Sequence, residues 1–234
     1  MPGPTPGDGL PSSPVELPAG LAAVAARVFG PHLELAGRYA AILAGAGVER
    51  GLIGPREAPR LWERHLLNCA VVGELLPPGQ RVLDVGSGAG LPGIVLAVAR
   101  PDLEVTLLEP LARRATFLDE VVEELGLPQV TVVRGRAEEY AGKMEFPVVT
   151  ARAVAPLDRL ARWCLPLLEP GGRLLAMKGA TAAEEITEHR TALERLGGRD
   201  AAVVTCGSGV LDQPTTVVTA VRGTRTKSGG RRAR

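Results

Sequence analysis

A chain of 234 residues, 45% hydrophobic and 23% charged, is long enough to bury a full core and excludes a wholly disordered or fibrous protein. Its longest apolar runs, Ile94 to Ala99 among them, are too short to cross a bilayer, and no membrane partner is expected. The net charge of only +1 excludes a general polyanion binder: the tail 223–234 carries Arg225, Lys227, Arg231, Arg232 and Arg234 with no acid, so the rest of the chain is net acidic.

Residues 1–18 hold six prolines and little apolar periodicity, which predicts a disordered or extended leader. It lacks a basic stretch followed by an apolar one, so no secretory signal is read and a cytoplasmic protein is expected. From Ala19 to about Leu52, and again through LWERHLLNCAVVGELL, apolar residues recur at helical spacing. A helical cap over 19–78 is therefore expected.

From residue 81 short apolar strands alternate with amphipathic helices. RVLDVG is a strand, and Leu91 to Ala99 a helix with Pro92 in its first turn. EVTLLE, 104–109, is the second strand, and RRATFLDEVVEELG a helix stopped at Gly126. QVTVVRG, 129–135, and FPVVTARA, 146–153, are the third and fourth strands. PLDRLARWCLPLL is a helix, GGRLLAMKG a fifth strand and AAEEITEHRTALERLG a helix. DAAVVTC and TTVVTAVRG, joined by a short loop, suggest an antiparallel pair. The fold class is α/β: a mostly parallel seven-stranded sheet covered on both faces, with an antiparallel last strand and an N-terminal helical cap.

In a doubly wound sheet the ligand lies beyond the carboxyl ends of the strands, where the first strand turns into its helix. LDVGSGAGLPG, 83–93, falls there, and its glycines read GxGxG, with Leu91 where a dinucleotide fingerprint requires a third glycine. Asp84 would repel a phosphate and suits an amino-bearing or cationic ligand, with Gly86 and Gly88 bringing bare backbone against it. Glu109, at the end of the second strand, is placed to accept both hydroxyls of a ribose. An adenosyl ligand with an amino-acid arm and no phosphate satisfies both acids. S-adenosylmethionine is that ligand.

WERHLLNCA, LDVGSGAGLPGIVLA, RRATFL, RAEE, TARAVAPL and LLAMKG, between about residues 60 and 180, resemble the bacterial ribosomal RNA small-subunit methyltransferase G family, also called glucose-inhibited division protein B. The resemblance implies a class I methyltransferase domain over 79–222 that uses S-adenosylmethionine to methylate N7 of a guanine in 16S rRNA, at position 527 in standard rRNA numbering. It further implies Gly86 and Leu91 at the methionine and sulfonium, Glu109 at the ribose, Ala137 and Glu138 at the adenine, and Arg152 beside the methyl donor. The leader and the basic tail 223–234, expected to be disordered, are not required by the family pattern.

The chemistry is consistent with that implication. Methylation of a pyrimidine C5 needs a cysteine nucleophile, yet no Pro-Cys pair follows the fourth strand. Amine methylation commonly uses a (D/N)PP(Y/F) loop, and that place reads TARAVAP. Guanine N7 has a lone pair and no proton to lose, so it needs positioning more than a base. Arg152 and Lys178 are the catalytic candidates. Arg113, Arg136 and Lys178, at strand carboxyl ends with Arg114 and Arg134, are assigned to the RNA.

With only two Trp, two Tyr and three Phe, a broad stacking platform is implausible, and Trp62 is the candidate to stack a flipped base. His65 could order the cap over the site. Cys69, Cys164 and Cys206 show neither paired spacing nor a His cluster, so no metal is expected and each reads as a small buried hydrophobe. The expected partner is 16S rRNA or the small ribosomal subunit, met by a monomer. A class I methyltransferase with another acceptor, and a ligand-sensing RNA-binding module without turnover, remain alternatives.

Overall fold

The computed structural model describes residues 10, 12, 13, 15–152 and 155–223. The Arg-rich tail beyond Gly223, most of the Pro-rich leader and the Ala153–Val154 step of TARAVAPL lie outside the described residues.

The N-terminal third is helical. Helix α1 (Ala22–Phe29) leads through a 3-10 turn into α2 (Leu33–Ile42), which runs on as a π-helical turn, Leu43–Gly47. A second composite helix joins a π-helical stretch, Leu61–Leu67, to α3 (Asn68–Ala70) and a 3-10 turn, Val71–Leu75. Their apolar stripes do not form a core of their own. Phe29, Tyr39, Leu43, Trp62 and Leu66 join one buried cluster with Ile94, Leu107 and Phe117 of the sheet region.

Strands β1 (Arg81–Val85), β2 (Glu104–Glu109), β3 (Val130–Arg134), β4 (Phe146–Arg152), β5 (Leu168–Met177), β6 (Gly198–Cys206) and β7 (Thr215–Arg222) form one sheet in the order β3-β2-β1-β4-β5-β7-β6. The first five run parallel, whereas β7 is antiparallel to both β5 and β6. This is the mostly parallel sheet with an antiparallel ending that the alternation predicts. Chain order reverses at β1, which pairs with β2 on one side and β4 on the other, and the crevice opens there.

Helices α4 (Gly93–Ala99) and α5 (Ala112–Leu125) cover one face with the N-terminal helices, and α7 (Leu157–Cys164) and α8 (Ala182–Arg195) cover the other. Three local details differ from the sequence expectation. The first helix after β1 starts at Gly93, not Leu91, because Gly90 and Leu91 donate back to the Ser87 carbonyl at 2.7 and 3.2 Å and close a turn of their own. The segment after β4 stops being α-helical at Cys164, one residue before the 3-10 turn Leu165–Leu167, where Pro166 offers no N–H. A one-turn helix, α6 (Ala137–Tyr140), follows β3, its entry fixed by the Arg136 N–H donating to Glu139 Oε2 at 3.1 Å.

Candidate active site

The glycine run is a packed turn. The Gly86 and Ser87 N–H groups donate to the Leu108 carbonyl at 2.8 and 3.3 Å, tying the loop to the end of β2. Gly90 sits at φ +96°, where a β-carbon would also press within 2.8 Å of Tyr39 Oη. A β-carbon on Gly93 would overlap Leu107 and stand 2.8 Å from Asp84 Oδ2. From α2, the Tyr39 hydroxyl donates to the Ala89 carbonyl at 2.6 Å, so the N-terminal helices hold the loop directly.

Two buried acids frame this turn. Asp84 Oδ2 accepts the Gly93 N–H at 3.0 Å, while Oδ1 is buried with no partner among the described residues. Burial pushes the Asp84 carboxyl up to about 7, against the opposing pull of the Gly93 N–H and the more distant Arg152 charge. Glu109 is buried too, with Oε2 accepting from the Gly88 N–H at 2.9 Å and Oε1 from the Leu111 N–H at 3.0 Å. It thereby pins the glycine loop and the β2–α5 turn to each other.

Beyond Glu109 lies a cavity of about 350 Å³ whose wall includes Gly86, Glu109, Leu111, Ala137, Glu138 and Trp163. Trp163 Nε1 donates to Glu138 Oε1 at 2.6 Å, fixing the indole at the wall. Leu111 stands at the mouth, 46% exposed where most large apolar side chains are buried. Arg114 and Arg136 complete the rim, and Arg114 Nε is a second buried polar atom without a partner among the described residues.

A separate cleft of about 540 Å³ opens between the N-terminal helices and the ends of β4 and β5. Arg152, Lys178, His65 and Glu57 face it. Arg152 Nη2 lies 2.8 Å from His65 Nδ1, and Nη1 lies 3.7 Å from Cys69 Sγ. Lys178 Nζ pairs with Glu185 Oε2 at 2.6 Å and donates to the Ala155 carbonyl at 3.1 Å, with only 9% of its side chain exposed.

A glycine turn, two strand-end acids and an adjoining slot occur in many nucleotide-binding sheets, and whole-chain comparison decides among them. The family model for rRNA small subunit methyltransferase G matches residues 32–215. The chain belongs to this family. A ribosomal RNA small subunit methyltransferase G from Salinispora tropica is 62% identical over 212 residues, 88% of each chain. One from Streptomyces avermitilis is 63% identical over 195 residues, 83% of this chain and 82% of the other. Among solved structures, the S-adenosylmethionine-dependent methyltransferase SibL superposes with a TM-score of 0.58 at 20% identity, over 80% of this chain and 62% of that one. An O-methyltransferase from Thermotoga maritima gives 0.50 at 20%, over 68% and 66%. At such identities the likeness is one of fold.

In this member of the methyltransferase G family, the residues singled out in the sequence divide between the two cavities. Gly86, Glu109, Arg136, Ala137 and Glu138 line the first, and Arg152 and Lys178 the second. Asp84, Gly88 and Leu91 lie behind the first as its support: Gly88 bonds Glu109, and Leu91 is buried in the core. Arg113, on α5, is exposed. Trp62 is a correction, because it is 3% exposed and packed edge-to-face on Phe29 with ring centroids 6.1 Å apart, so it offers no stacking surface.

Three residues of the site, Trp163, Leu111 and Glu57, do not emerge from the sequence patterns. Leu111 carries a signal, as the second residue beyond a strand-end acid. Trp163 and Glu57 carry none, since only the packing of α6 on α7, and of the 51–57 loop on the helix behind it, brings them to the site. No helix of the described residues is long and apolar enough to cross a membrane.

Proposed function

We propose that this chain transfers a methyl group from S-adenosylmethionine to N7 of a guanine in 16S rRNA, the position its family resemblance implies, acting as a monomer on the rRNA or the small subunit in the cytoplasm. The observation that carries the reading is the Glu109 cavity, walled by Ala137 and Glu138, with the unpartnered Asp84 Oδ1 in the glycine turn behind it.

The donor set suits that cofactor. Glu109 and Glu138 put two carboxylates into a wall whose arginines, Arg114 and Arg136, stand at the rim, and Asp84, in the turn behind it, keeps a buried carboxyl oxygen without a donor among the described residues, a match for an ammonium or sulfonium arm. Each Glu109 oxygen spends one lone pair on a backbone N–H and keeps another for a ribose hydroxyl. Leu111, Ala137 and Trp163 supply the apolar walls of a purine slot, and Glu138, held by the indole, supplies a polar edge. When bound, the cofactor supplies an electrophilic methyl group on a sulfonium.

For the acceptor, this chain provides position rather than proton transfer. N7 gives its lone pair and has no proton to surrender, so neither acid needs to act as a base. Arg152, at the end of β4, presents donors to the cleft, suited to a guanine O6 or a phosphate. Arg113 and Arg136, both exposed, extend a cationic rim for the RNA backbone. Lys178 contributes by holding the 155–157 segment, since its ammonium is already satisfied by Glu185 and Ala155, and Glu185 also accepts the Leu157 N–H at 3.1 Å.

The test is transfer from labelled S-adenosylmethionine to 16S rRNA and to small subunits lacking the modification, followed by nucleoside analysis. Label recovered as 7-methylguanosine is the expected result. Label in any other nucleoside, or none with the cofactor still bound, overturns the assignment.

A further inference from the structure

One contact chain in the cleft is used by none of the roles assigned above. Glu57 Oε2 lies 3.0 Å from His65 Nε2, and His65 Nδ1 lies 2.8 Å from Arg152 Nη2. The chemistry of the two outer groups settles the middle one. A guanidinium nitrogen can only donate and an ionised carboxylate can only accept, so His65 must accept at Nδ1 and donate from Nε2. A neutral imidazole in one tautomer is the sole arrangement that satisfies both contacts.

The groups around His65 favour that state. Arg64 on its own helix, Arg152 on β4 and Lys178 across the cleft are cationic, Cys69 on α3 is a buried thiol beyond Arg152, and Glu57 is the facing acid. Burial, and then the Arg152 charge, lower the His65 pKa from its ordinary value, and the hydrogen bond with Glu57 opposes them. Glu57 is itself lowered, chiefly by its hydrogen bond with His65.

We propose that His65, oriented by Glu57, is the positioning residue that aims the Arg152 guanidinium into the acceptor cleft, and that acid disengages it by placing a proton on Nδ1. The proposal rests on the methyl-transfer reading of the same site. Arg152 has five N–H donors, one committed to His65 and one weakly to the Cys69 sulfur, which leaves donors for an acceptor in the cleft. Held only by sulfur, a long arginine would sample several rotamers, and the geometry of in-line transfer would be met less often. The device joins the N-terminal helices to the sheet at the place where the acceptor has to be held.

The test uses the full chain in two measurements. Nitrogen NMR of ¹⁵N-histidine protein, with His65 assigned through a His65→Asn variant, is expected to show a neutral ring protonated at Nε2; protonation at Nδ1 overturns the proposal. Methyl transfer to subunits lacking the modification is then followed at saturating S-adenosylmethionine, so that titration of Asp84, which acts through cofactor affinity, does not enter, between about pH 5 and 8.5, from well below to above an ordinary histidine pKa. Wild type should lose activity on the acid side. His65→Leu should lower kcat by about tenfold while calorimetry shows unchanged affinity for S-adenosylmethionine. His65→Asn, whose Oδ1 can replace Nδ1 as acceptor, should recover most of the rate without the acid limb. A Leu variant as active as wild type, or an Asn variant that keeps the acid limb, overturns the proposal. Wild type that transfers no methyl group overturns the functional reading instead, and the tautomer result then stands alone.

Discussion

The two halves of the site are built in opposite ways. The Glu109 cavity is made by consecutive strand ends and the turns that leave them, Gly86 after β1, Glu109 to Leu111 after β2 and Ala137 after β3. The Arg152 cleft is made by residues far apart in the chain, with Arg152 and His65 separated by 87 positions. The first half follows from register within a parallel sheet, where every strand ends on the same edge. The second depends on how the N-terminal helices settle on that sheet, and the contrast predicts different sensitivities.

The largest effect is expected at Glu109, where one carboxylate supports two backbone N–H groups as well as the proposed ribose. Glu109→Ala should raise the dissociation constant for S-adenosylmethionine at least about tenfold, measured by calorimetry, and lower the melting temperature by leaving the Gly88 and Leu111 amides unpaired. Unchanged affinity in a folded variant would remove Glu109 from the cofactor site. Next comes Arg152→Lys, which keeps the charge but replaces the planar fork with one ammonium. Transfer should fall about tenfold with cofactor affinity unchanged, and a parallel loss of both would mean that the two halves are not separable.

Asp84 sharpens the comparison through pH. Its folded pKa of about 7 lies above the ordinary 3.8, so between those values the folded protein holds a proton that the unfolded chain has released. Stability of the ligand-free protein should therefore fall as pH rises through that window and level off above it. Asp84→Asn retains an acceptor for the Gly93 N–H and removes the buried charge. Thermal melts should show the variant gaining on wild type as pH rises from about 4 to about 7, by about 3 kcal/mol at the top, while binding the cofactor less tightly. A constant difference across the window would contradict the assigned pKa.

The smallest effects separate the two tryptophans. Trp163→Ala should weaken cofactor binding by about 1 kcal/mol, some fivefold, with little loss of stability. Trp62→Phe should leave both cofactor and RNA affinity unchanged and lower stability by about 1 kcal/mol. A weakened RNA complex in the Trp62 variant would reopen its stacking role.

Much of the Glu109 cavity is legible in the amino-acid sequence. RVLDVG, EVTLLE and QVTVVRG correspond to β1, β2 and β3, and Glu109, Gly86, Ala137 and Glu138 reach the cavity because strand ends in a parallel sheet converge without help from distant residues. Trp62 and Trp163 depart from expectation in opposite directions, one buried where a stacking surface is expected and the other at the cavity wall. Both sit in helices with apolar neighbours, and helical spacing alone does not say whether an aromatic on the border of the stripe turns to the core or to a cavity. The start of α4 departs for a local reason, since Gly90 and Leu91 close a separate turn on the Ser87 carbonyl before the helix begins.

By itself the sequence determined the alternation of elements, the antiparallel ending, the acid-framed glycine turn and the family, because periodicity, turn chemistry and strand-end placement act over a few residues at a time. Only the tertiary structure decided that Lys178 is paired to Glu185, that Tyr39 reaches the Ala89 carbonyl, and that Glu57 and His65 stand behind Arg152. Those contacts are fixed by how the N-terminal helices and α8 pack against the ends of the strands, and packing between distant segments leaves no period in the chain to read.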